Sequence, residues 1–201
     1  MAGLAAEDLN ADTQVWLRPR GRAIRHRLFV LCDTAAEVIC AAGGWLFDQA
    51  LAGCETIALV NDRTNNRALR IVGAEAIALH TPQARAALRA RPDTLMVAAN
   101  LFRHDEQVRH RTLEAIDEGQ TKVMLCGNGW PTEFEGLGTS VHHRLSIAAQ
   151  AFKKQALGAA GASTNLVGLV ETFGGIDLRT CRPEATSRAA AEKPAIHWQT
   201  A

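Results

Sequence analysis

The chain has 201 residues, 47% of them hydrophobic and 21% charged, with a formal net charge of +1. That is the make-up of an ordinary globular protein, long enough to bury one core and without a global field favouring nucleic acid or a membrane surface. Aromatic residues make up only 5%, with no Tyr, which argues against a single-strand nucleic-acid binder built on stacked rings.

Residues 1–27 read as a flexible arm. Its Ala-rich, acidic opening lacks the basic-then-apolar order of a signal peptide. Its second half carries Arg18, Arg20, Arg22, Arg25 and Arg27. With no helix-turn-helix signature beside them, these arginines read as a solvated lead-in, so nucleic acid is not an expected partner.

Residues 28–178 read as a single α/β domain. Leu28–Cys32 is continuously apolar, as a strand buried on both faces should be. Asp33-Thr34 opens a helix, with Thr34 and Glu37 spaced as a capping box, and Gly53 closes it. Gly43-Gly44 is a weak spot within that helix, placed where another element could approach closely. Thr56–Val60 is the second strand and Asn61–Asn66 a polar loop. A short helix over Arg67–Val72 and a third strand, Ala76–Leu79, follow. Pro82 starts a helix to Arg89, and Thr94–Ala99 is the fourth strand. Asn100–Asp105 leads into a helix over Glu106–Glu118, ended by Gly119, and Lys122–Cys126 is the fifth strand.

The rhythm breaks at Gly127-Asn128-Gly129-Trp130-Pro131, which starts a Gly-rich loop reaching Thr139. A helix is expected over Val141–Leu157, and its alanines offer a surface for homo-oligomerisation. Leu166–Phe173 reads as helix or edge strand, and residues 179–201 as a disordered tail. Five strand–helix units with right-handed crossovers predict a three-layer α/β/α sandwich on a mostly parallel, five-stranded sheet. A flavodoxin-like order 2-1-3-4-5 is expected, with a Rossmann-like half domain as the close alternative.

In such folds ligands bind beyond the carboxyl ends of the strands, where the strand order reverses. Four loops meet there, and they nominate Asp33, Thr34, Asn61, Asp62, Asn100, Gly127, Asn128, Gly129 and Trp130 as ligand-binding residues. Several have a plainer reading. Asp33 and Thr34 serve as helix caps. Asp62 turns its own loop, and Trp130 pins a long one.

No cofactor is assigned. Asp33-Thr34-Ala35-Ala36-Glu37 stands where a dinucleotide fold needs G-x-G-x-x-G, and no P-loop is present. No metal site is expected either, because His104 and His110 are six residues apart and His142-His143, read as adjacent on a helix, diverge. The cysteines, Cys32, Cys40, Cys54, Cys126 and Cys181, are odd in number and lack a C-x-x-C pair. They point to a reducing, cytoplasmic setting. No apolar run reaches the ~20 residues of a membrane span.

With polar loops but no reactive constellation, the expectation is a cytoplasmic protein without catalysis of its own. It would bind a small phosphorylated or nucleotide-like ligand or act as a regulatory partner. The alternatives are an enzyme using Asp33, Asn128 and His143 and a homodimerising interaction module.

Overall fold

The computed structural model describes residues 26–129, 131, 134 and 138–176. The arm up to residue 25, Trp130, Cys181 and the tail 179–201 lie outside the described residues. The elements run in chain order β1 (Arg27–Thr34), α1 (Ala35–Leu51), β2 (Glu55–Asp62), α2 (Asn66–Ile71), β3 (Ala74–Ala78), α3 (Pro82–Arg89) and β4 (Thr94–Ala98). They continue with α4 (Ala99–His104), α5 (Glu106–Glu118), β5 (Lys122–Cys126), β6 (Gly138–Arg144), α6 (Ile147–Ala159) and β7 (Val170–Ile176).

All seven strands join one mixed sheet in the order β3-β2-β1-β4-β5-β7-β6. The first five are parallel, and β7 and β6 extend the β5 edge by antiparallel pairing. The expected sheet of five strands is therefore corrected to seven. The expected order 2-1-3-4-5 is corrected as well, because β3 lies outside β2 and the first five strands read 3-2-1-4-5.

Local chemistry explains the elements that follow the sequence pattern. Leu28–Cys32 is at most 2% exposed, as a continuous apolar strand buried on both faces demands. Thr34 caps α1 by accepting the Glu37 N–H at 3.2 Å, and the Glu37 carboxylate reaches back to the Asp33 N–H at 3.2 Å. Asp105 caps α5 through the Val108 N–H at 2.9 Å, and Gly119 ends that helix at φ +67°.

The last third departs from expectation. Val141–Arg144 belongs to strand β6, and the helix begins only at Ile147, where Ser146 caps it through the Ala149 N–H at 3.0 Å. The expected Val141–Leu157 helix is thus a strand, a cap and a shorter helix. β7 is not an edge strand, since it lies between β5 and β6.

Helices α1, α2 and α6 pack on one another. An ion pair locks the contact between α1 and α6 at the two glycines. Lys153 of α6 and Glu171 of β7 are 2% and 3% exposed and meet at 2.6 Å. The Glu171 carboxylate accepts the Gly44 N–H at 2.9 Å and the Trp45 N–H at 2.7 Å, while the Lys153 ammonium donates to the Cys40 carbonyl at 2.8 Å. The pair therefore serves as a carboxylate cap and an ammonium cap in the middle of a helix. The two glycines sit in tight packing: a Cβ on Gly43 would meet Ile39 Cγ2 at 3.1 Å, and one on Gly44 would stand only 2.5 Å from Leu145 Cδ1.

Candidate functional site

The strand order reverses between β1 and β4, so the crevice beyond their carboxyl ends is where the fold can hold a ligand. Asp33 sits at that point near the end of β1, its side chain 22% exposed. Its Oδ1 accepts from Asn61 Nδ2 at 2.8 Å, and its Oδ2 from Asn100 Nδ2 at 3.2 Å. His104 Nε2 lies 3.3 Å from Oδ1 and 3.2 Å from Oδ2. Three elements thus converge on one carboxylate: β1, the end of β2, and α4, where Asn100 and His104 stand four residues apart and share a helix face.

Beneath this cluster lies Glu37, half-buried. Burial is the largest influence and pushes its carboxyl up; the Asp33 charge adds to the rise, while the Asp33 N–H and His104 oppose it. Arg103, next to His104, ties the β5 loop to α4 by donating to the Asn128 carbonyl at 3.3 Å and to the Gly129 carbonyl. Gly129 has φ +70°, a backbone angle that favours glycine, and Arg103 Nη1 lies 2.6 Å from where a Cβ would stand. Gly127, at φ +90°, makes the turn out of β5.

Of the nominated residues, Asp33, Asn61 and Asn100 meet through side chains. Asn128 and Gly129 join through main-chain carbonyls. Thr34 is engaged as the α1 cap. Asp62 turns into its own loop, accepting the Thr64 N–H at 2.8 Å and the Thr64 hydroxyl, and these bonds lower its pKa. Trp130 lies outside the described residues.

His143 does not reach this site. It lies on β6 with Nε2 2.8 Å from Asp48 Oδ2. Asp48 is fifteen positions along the chain from Asp33, toward the other end of α1, roughly 20 Å away at 1.5 Å per residue. The alternative set Asp33, Asn128 and His143 is therefore corrected: its histidine belongs to a separate cluster in which Asp48 also accepts the Ser146 hydroxyl at 2.6 Å and the Ser146 N–H at 3.2 Å.

Cys32 and Cys126 are buried, and burial raises both thiols, that of Cys126 to about 12, so neither is an available thiolate. Among the described residues, no group of three or more His, Cys, Asp or Glu is arranged to hold a metal ion. No helix among them is long and apolar enough to cross a membrane.

The sequence puts Arg103 and His104 in the same strand-end loop as Asn100, but only Asn100 is nominated as ligand-binding. The i, i+4 spacing of Asn100 and His104 was the available signal, and it becomes meaningful only once that segment is a helix.

No family model matches the sequence, and no curated protein matches it. Solved structures do share its fold. A deacetylase of the teicoplanin biosynthetic pathway, solved as a triple mutant, superposes with a TM-score of 0.54 at 13% identity, covering 75% of this chain and 98% of its own. The A40926 pseudoaglycone deacetylase Dbv21 gives 0.54 at 14% identity, covering 76% and 98%. GalB, the 4-carboxy-2-hydroxymuconate hydratase of Pseudomonas putida KT2440, gives 0.54 at 13% identity, covering 82% and 100%. At such identities the likeness establishes a mixed α/β fold. It also corrects the expectation of a ligand-binding or regulatory protein without catalysis, because these three structures of the same fold are two deacetylases and a hydratase.

Proposed function

We propose that this chain is an enzyme that directs water onto a carbon electrophile, with hydrolysis of an acetyl-type amide as its primary reaction. The observation that carries the proposal is the Asp33 carboxylate, held by two asparagine amides and shared with the His104 imidazole at 3.2 Å. The deacetylases and the hydratase of the same fold both add water to carbon, which supports the reaction class. Helices on both faces of the sheet, the three-layer reading, leave the strand ends as the open edge where substrate enters.

The roles follow from position. Asn61 and Asn100 fix the Asp33 carboxylate, which in turn orients His104. With Nε2–H directed at Asp33, Nδ1 carries the lone pair. The exposed ring takes a proton from water there, while the water oxygen bonds to the carbonyl carbon and the carbonyl electron pair moves onto oxygen. Collapse of the tetrahedral adduct breaks the C–N bond, and the leaving nitrogen takes the proton from the imidazolium, giving a carboxylic acid and an amine, which then ionise to carboxylate and ammonium by proton exchange with water. Among the described residues Asn128 bonds its neighbours only through its carbonyl. Its amide is therefore free to donate to the oxyanion.

The test is acetate release from a panel of N-acetyl compounds, with water addition to α,β-unsaturated acids followed in parallel by NMR. Asp33→Asn and His104→Gln should each reduce kcat/KM by about 10²-fold or more, the usual contribution of a positioned acid–base group. Turnover that survives unchanged in both variants would contradict the proposal.

A further inference from the structure

We infer that a cavity between α3 and α5, on which the proposed reaction makes no demand, binds a single apolar chain that ends in a carboxylate. The cavity has a volume of about 400 Å³, within the range of small-molecule sites. It exists because α3 covers the sheet poorly: of its eight residues only Ala84 is buried. The sheet residues Leu31 and Leu95 form the floor, and Leu88 of α3 and Val108 of α5 face each other as walls. The lining also carries His80, Gln107, His110, Glu114, Glu118 and Thr121, of which all but Gln107 are bonded to protein partners, so the body of the ligand is mainly hydrocarbon.

The polar end is set by charge. Arg85 and Arg89 stand at the rim, four residues apart on one face of α3, both exposed. The other rim arginines are engaged, Arg91 by Glu118 and Gln120, and Arg111 by Glu114. Arg85 makes only one bond, to the His80 carbonyl at 3.3 Å, and Arg89 has no partner among the described residues. Two such guanidinium groups match the two oxygens of one carboxylate. The modest volume suits a single chain and not a two-chain membrane lipid. Leu31 precedes Asp33 by two strand residues, so their Cα atoms lie about 7 Å apart along β1. Neither Asp33 nor His104 lines the cavity, so the pocket is distinct from the reaction site.

The experiment is calorimetric titration of the full chain with decanoate, decanol and decyltrimethylammonium, each below its micelle concentration. Decanoate should bind one to one, decanol at least tenfold more weakly, and the cation not at all. Arg85→Gln/Arg89→Gln should weaken decanoate about tenfold or more while leaving decanol binding and the melting temperature unchanged. Leu88→Trp, which fills the cavity, should abolish binding of both. No decanoate binding, equal affinity for decanoate and decanol, or an unchanged decanoate affinity in the double arginine variant would each overturn the inference.

Discussion

Replacing Lys153 with Met tests the packing argument where it is sharpest. The ammonium is 2% exposed and lies 2.6 Å from Glu171, which is 3% exposed. Removing it leaves a buried carboxylate bonded to the Gly44 and Trp45 N–H groups but without a counter-charge, and leaves the Cys40 carbonyl short of a donor. Breaking one partner of a buried pair costs roughly 3–5 kcal/mol. For a domain of this size each kcal/mol moves the melting temperature by roughly 2–4 °C, so a loss of roughly 6–20 °C is expected. Lys153→Met/Glu171→Gln removes the stranded charge while keeping an acceptor for the α1 N–H groups. The double variant should therefore be more stable than the sum of the single changes predicts, with a coupling of roughly 1–3 kcal/mol. Urea unfolding followed by circular dichroism measures all four proteins. A Lys153→Met variant that melts within about 2 °C of the wild type, or a double variant that is simply additive, would refute the reasoning.

Gly44→Ala should destabilise the chain, because its Cβ would lie 2.5 Å from Leu145 Cδ1 and Leu145 is only 4% exposed. Overpacking of roughly 1–3 kcal/mol outweighs the helix propensity gained, and thermal melting reads the difference. Burial alone would raise the Asp48 pKa, but its bonds from Ser146 and His143 more than reverse this and hold it below the ordinary value of 3.8. A lowered carboxyl stabilises the fold above its unfolded pKa and loses that effect as pH falls through the folded value. The melting temperatures of wild type and Asp48→Asn should therefore differ at pH 7 and converge as the pH falls below the ordinary carboxylate range and through the lowered folded value, and a gap independent of pH would contradict the assignment. Native alkylation at pH 8 with peptide mass mapping should spare Cys32 and Cys126, whose thiols burial has pushed up, until denaturant is added.

The parallel half of the fold is legible because strands such as Leu28–Cys32 and Thr94–Ala98 are runs whose burial and pattern coincide. The antiparallel half is not. Gly138–Arg144 contains one apolar residue besides glycine, Val141, and its polar histidines run straight into the helical stripe of Leu145, Ala149 and Ala156. Only pairing with β7 makes it a strand. β7 itself turns Glu171 inward, and α6 does the same with Lys153, so two residues of types almost never fully buried unless paired lie in the core. At the site, Asp33, Asn61 and Asn100 were foreseeable from strand-end geometry alone. His104 is legible as part of the same strand-end loop, but its contact with Asp33 depends on α4 being helical and on a carboxylate 71 residues away in sequence.

The account places the reaction at the ends of β1 and β4 and excludes the histidine on β6, which gives the two histidines opposite expectations. The most direct measurement is kcat/KM for His104→Gln and His143→Gln on whichever acetylated substrate the wild type turns over. The account predicts a loss of about 10²-fold or more in His104→Gln and an unchanged rate per folded molecule in His143→Gln. An active His104→Gln, or an inactive but folded His143→Gln, would contradict it.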